Sequence, residues 1–169
     1  MFGRALVSDD VADWVVDSFL WHFARDPSPL PLIQPTAAFF TATRGTDQDT
    51  ARAVLDDILR HLHMETRQFK RELLPEIADE YAHSYQSMGV VAGTYSHDKD
   101  APVIQYSTKV MRRPVGFINT MAHEVMHDRL VGLEDQLPGG TEAHELATDL
   151  HCIITGFGLF QLQDAADMG

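Results

Sequence analysis

The run His123-Glu124-Val125-Met126-His127 constrains this chain more than any other stretch of it. On a helix, two histidines four residues apart stand one turn apart on one face, so both imidazoles can converge on one point. Glu124 lies beside the first of them, where its carboxylate can act on a water held at that point. The run therefore asks for a helix anchored by a buried flank and for a neighbouring element that completes the cluster. This H-E-x-x-H spacing is one in which two His bind zinc and the Glu is a general base. The chain has nine His, and a shuffled chain of this composition would contain the string in roughly one case in fifty. Its surroundings must therefore support it.

The flanks do. Pro114 suits the first turn of a helix, where its missing N–H costs little, and Gly132 is a natural stop. A helix over about 114–131 follows, with Met121, Val125 and Leu130 toward the core and His123 and His127 on a stripe shared with Thr120. A catalytic zinc needs a third protein ligand and one open position. One known pattern places a Gly three residues after the second His and a third His three further on. Leu130 and Leu133 occupy those positions, which excludes it. The other pattern places a Glu on a later helix. Thr141 can cap a helix over about 142–160, on which Glu145 and Asp149 share a face. Glu145 is the expected third ligand, and Asp149 the acceptor for the free ring N–H of His123 or His127. The short loop over 132–141 predicts antiparallel neighbours. Two rivals compete for the ligand role. Glu142 has Leu146 rather than an acid four residues on, and His144 points about 100° away from Glu145 around the helix.

The rest of the chain reads as support. Ser8 caps a helix over about 9–25, with Val11, Trp14, Val15, Phe19 and Phe23 as its apolar stripe. A proline-rich connector follows. Thr46 or Asp47 caps a helix over about 48–63 that buries Ala51, Val54, Leu55, Ile58, Leu59 and Leu62. A strand is predicted over 66–74 through Phe69, Arg71 and Leu73, then a short helix over 76–86. Val90 to Tyr95 and Pro102 to Ser107 form a hairpin. The expected fold class is α+β: a single, mostly helical domain over 1–169, with a small sheet beside the metal-binding helix. Its parts are N-terminal helices over 1–65, a sheet region over 66–110 and a zinc-binding helix pair over 111–169.

Taken together, H-E-x-x-H with E-x-x-x-D on a later helix resembles the zincin-like metallopeptidases of the gluzincin type. The resemblance covers about residues 102–160. Leu146 to Leu150 followed by Gly156-Phe157-Gly158 also looks like the tail of small bacterial proteins with such sites. It implies a zincin-like fold, a bound Zn2+, and a peptide or protein substrate held along an edge strand, for which the strand 102–107 stands at the matching position. It also implies a Tyr or His that stabilises the transition state, for which Tyr95, Tyr106, His97 and His151 are the candidates.

The expected activity is that of a hydrolase: a zinc metallopeptidase with Glu124 as base. The alternative is a non-catalytic zinc-binding protein that uses the cleft for a partner. A weaker option is hydrolysis of a non-peptide bond. Glu124 favours catalysis, because a structural zinc has no use for a base and is normally closed by four ligands, mostly Cys. A net charge of −12 argues against nucleic acid and anionic membranes as partners. Cys152 is the one cysteine, flanked by Ile153 and Ile154, and reads as a small buried hydrophobe. With no internal disulfide, no apolar leader and no run long enough to span a bilayer, the expected location is the cytoplasm.

Overall fold

A computed structural model describes residues 7–28, 31–42, 44–74, 93–97 and 101–167. The predicted helix over 76–86 and residues 90–92 of the predicted hairpin lie outside the described residues. The first helix, α1 (Asp9–Arg25), is capped by Ser8, whose side chain accepts from the Val11 amide. Its inward face keeps Trp14, Val15 and Phe19 of the expected stripe half-buried, but the stripe's ends and its deepest positions differ. Ser18 and His22 are buried, whereas Val11 and Phe23 are exposed. Aromatic and polar contacts set the rotation of this helix. The Trp14 indole donates to the Pro138 carbonyl at 2.7 Å, and Trp21 and His22 pack edge-on against His151. The second helix, α2 (Gln48–His61), starts at Asp47, which accepts from the Thr50 amide. All six predicted apolar positions of this segment are buried.

Three strands follow: β1 (Lys70–Leu73), β2 (Gly93–Ser96) and β3 (Val103–Tyr106). They form one sheet in the order β1-β3-β2, with β1 parallel and β2 antiparallel to β3. The strand predicted over 66–74 is shorter, and Phe69 just before it is buried while Arg71 and Leu73 lie exposed on it. The expectation that 102–107 offers a free edge is overturned. β3 is the central strand, its backbone groups taken up on both sides, so it cannot accept an added peptide strand. Ile104 and Tyr106 bury this strand in the core, which explains its central place.

A short helix, α3 (Thr108–Met111), leads into α4 (Pro114–Leu130), whose bounds agree with the Pro and Gly signals; Gly132 has φ +78°. Phe117, Ile118, Met121 and Val125 of α4 join Val54, Leu55 and Ile58 of α2 and Ile104 of β3 in one apolar cluster. The predicted single helix over 142–160 is two helices. A 3-10 turn over Gly140–Ala143 precedes α5 (His144–Cys152), a π turn spans Ile153–Phe157, and α6 covers Gly158–Asp167. Thr141 does not cap α5; its hydroxyl bonds Asp135 instead. Gly156 makes the break. Its φ of +105° is a conformation other residues rarely adopt, and its carbonyl accepts from the Ile33 amide at 3.0 Å. Among the described residues no helix is long and apolar enough to cross a membrane.

Candidate metal centre

Helices α4 and α5 run antiparallel, as the short connection between them predicts. His123 meets Asp149 near the end of α5, while His127, one turn further along α4, meets His144 at its start. This register brings the expected ligands together. The Nε2 atoms of His123 and His127 are 3.1 Å apart, and Glu145 Oε2 lies 3.5 and 3.6 Å from them. Ligand atoms held about 2.0–2.2 Å from a tetrahedral ion stand roughly 3.3–3.6 Å from one another. At 3.1, 3.5 and 3.6 Å the trio comes close to the spacing of three corners of such a shell and could hold a metal ion. Glu145 is 75% exposed and both histidines are largely covered, so the cluster opens at the α5 side. Glu142 is outside this group, and the rival ligand His144 turns its ring to His127 instead.

Each histidine has a different partner at its other nitrogen. Asp149 Oδ1 lies 2.9 Å from His123 Nδ1. Burial works against a charged His123 ring, but the bond to Asp149 and the charges of Glu124, Asp149 and Glu145 outweigh it and raise the pKa. At His127 the balance is opposite. Burial, then the neighbouring His123, push its pKa well down, so its ring is held in the neutral form that binds metals. His127 Nδ1 is 3.1 Å from His144 Nε2.

Glu124 is only 5% exposed. Desolvation is the main cause that pushes its pKa up to about 7; His123 opposes the shift and Glu145 adds to it. Strand β2 covers this carboxylate at Gly93. A Cβ there would lie 2.6 Å from the Thr120 methyl and 3.1 Å from Glu124 Oε1. A glycine inside a strand is the local sequence signal of such a close approach.

Two residues at the site went unforeseen. Asp128, next to His127, is buried and takes two bonds from Arg67, at 2.6 and 2.7 Å. It also accepts from the Tyr95 hydroxyl at 2.9 Å. No local pattern links Arg67 to Asp128, because the pair joins segments far apart in the chain.

The four candidates for transition-state stabilisation separate. Tyr95 is at the site, its ring lying nearly parallel to His127 with centroids 6.0 Å apart. Its hydroxyl is engaged by Asp128, and burial, then that bond, raise its pKa. His97 is exposed, with Nδ1 3.2 Å from the Tyr95 hydroxyl. Tyr106 is 2% exposed and packs on Phe117 in the core. His151 is also 2% exposed and faces α1, with its Nδ1 on the Ala147 carbonyl. The last two are not at the cluster. Cys152 is buried, and desolvation raises its pKa, which leaves it an inert thiol.

In comparisons with known proteins, no family model, no curated protein and no solved structure matches the chain.

Proposed function

We propose that this chain is a zinc-dependent metallopeptidase of zincin-like, gluzincin-type architecture. The observation that carries the reading is the mutual spacing of His123 Nε2, His127 Nε2 and Glu145 Oε2, at 3.1, 3.5 and 3.6 Å. Two imidazoles and one carboxylate are a donor set that zinc accepts, with a fourth position left for water or substrate. When bound, zinc supplies a Lewis acid and a water acidified toward neutral pH. Glu124 takes the proton from the attacking water on its carboxylate and hands it to the leaving nitrogen. Its burial favours this role, since a base works best when its pKa lies near the working pH. Asp149 orients His123, and Gly93 leaves the space in which the Glu124 carboxylate lies.

An extended peptide fits the outer edge of β2 better than β3. Among the described residues no strand pairs with that edge, and its Gly93 and Tyr95 border the cluster. The lone cysteine fits a reducing compartment, in keeping with a cytoplasmic location.

A second reading is a non-catalytic zinc protein that uses the same cleft for a partner. One observation favours it: the Tyr95 hydroxyl is engaged by Asp128 rather than free to support an oxyanion. Elemental analysis of the purified protein, a peptide-library digest and Glu124→Gln separate the two. On the peptidase reading the variant folds and keeps its zinc, and hydrolysis falls by at least about 10²-fold. A variant that cleaves as well as the wild type removes Glu124 from the mechanism. A wild type that carries zinc and cleaves nothing favours the second reading.

A further inference from the structure

His127 and His144 meet nitrogen to nitrogen. His127 Nδ1 and His144 Nε2 are 3.1 Å apart, the ring planes are inclined by 29° and the centroids are 5.2 Å apart. So wide a centroid distance with so small a tilt belongs to two imidazoles bridged edge to edge. The protonation pattern follows from the cluster. His127 Nε2 faces His123 Nε2 and Glu145, so as a ligand it offers a lone pair there and carries its proton on Nδ1. His144 Nε2 must then accept, which puts the His144 proton on its own Nδ1. That Nδ1 is buried and has no partner among the described residues. A buried N–H without an acceptor is unfavourable, so His144 is held in an arrangement that its own hydrogen bonding does not favour. Thr148 is the longer of the two contacts to His127 Nδ1, so His144 Nε2 is the nearer acceptor. The Thr148 hydroxyl donates to the His144 carbonyl at 2.9 Å and stands 3.5 Å from His127 Nδ1.

We propose that His144 is the positioning residue for His127, fixing its metal-binding tautomer and the angle of its ring, as Asp149 does for His123. Helix α5 thus supplies one ligand and both orienting groups, Glu145, His144 and Asp149, to two histidines of α4. The two arms differ chemically. A carboxylate orients His123, and an imidazole orients His127. This inference rests on the metal-site reading above.

The test measures zinc affinity by competition with a chromophoric chelator for the wild type, His144→Ala and His144→Gln. Alongside it, long-range nitrogen–proton NMR spectra of the zinc-loaded wild type report the His127 tautomer. His144→Ala should weaken zinc binding by about 10–100-fold, the effect of losing a group that orients a ligand. His144→Gln, whose carboxamide oxygen can accept the same proton, should recover most of that loss. The spectra should show His127 protonated at Nδ1. Zinc affinity in His144→Ala within twofold of the wild type overturns the proposal, and so does a His127 proton on Nε2. If His144→Ala and His144→Gln both lose zinc entirely while Glu145→Ala keeps it, His144 is a ligand and the proposal is wrong. If the wild type itself takes up no zinc, the metal-site reading falls and takes this inference with it.

Discussion

His123 and Asp149 are joined across two helices, Nδ1 to Oδ1 at 2.9 Å, with the other ring nitrogen of His123 turned to His127 and Glu145. A carboxylate on the far side of a metal-binding imidazole fixes the ring and makes it a stronger donor. Asp149→Ala should therefore weaken zinc binding by about 10–100-fold with little loss of folding, since Asp149 is more than half exposed. Chelator competition beside a thermal melt checks this. Unchanged affinity would remove Asp149 from the site.

Glu145 and Glu142 lie three residues apart and make a matched pair of tests. Glu145 Oε2 is within 3.6 Å of both imidazoles, and Glu142 is outside the cluster. Glu145→Ala should lower zinc occupancy strongly, and Glu142→Ala should leave it unchanged, as read by elemental analysis after dialysis. The reverse result would move the third ligand to Glu142.

His22 and His151 are both buried, their rings 5.5 Å apart. Desolvation is the leading cause that lowers the pKa of each. Arg129 adds to both shifts; Asp26 opposes that of His22, and the Ala147 carbonyl that of His151. Above about pH 6.5 both rings are neutral whether folded or unfolded, and there is no effect. As pH falls below that value the unfolded chain takes up protons that the native rings refuse, so stability declines at up to about 1.4 kcal/mol per pH unit for each group. Urea unfolding at pH 7 and pH 5 should show the loss, and His151→Phe should show a smaller one. An equal loss in the variant would mean that other groups carry it.

Gly156 separates α5 from α6 with φ +105°, and a Cβ there would fall on the Pro31 carbonyl oxygen. Gly156→Ala should destabilise the fold by about 2–3 kcal/mol, from backbone strain and from displacement of a main-chain group. A urea midpoint indistinguishable from that of the wild type would show that the turn relaxes at no cost.

Local periodicity and punctuation made part of this protein legible from its residues. Pro114 and Gly132 bound α4 because they act on their own backbone, and the stripe from Ala51 to Leu62 is buried because a helix repeats every few residues. The same repeat puts His123 beside His127, and Glu145 beside Asp149, before anything is known of their neighbours. Tertiary structure decided what no local pattern encodes. The sheet order makes β3 central instead of an edge. The packing of Trp14, Trp21 and His22 leaves Ser18 and His22 deepest on α1 and Val11 and Phe23 exposed. The register of α5 on α4 gives Asp149 to His123 and His144 to His127. Arg67 reaches Asp128 from 61 residues away and draws the Tyr95 hydroxyl with it. Such contacts depend on how separate elements meet in space, and a residue's near neighbours in sequence carry no record of that meeting.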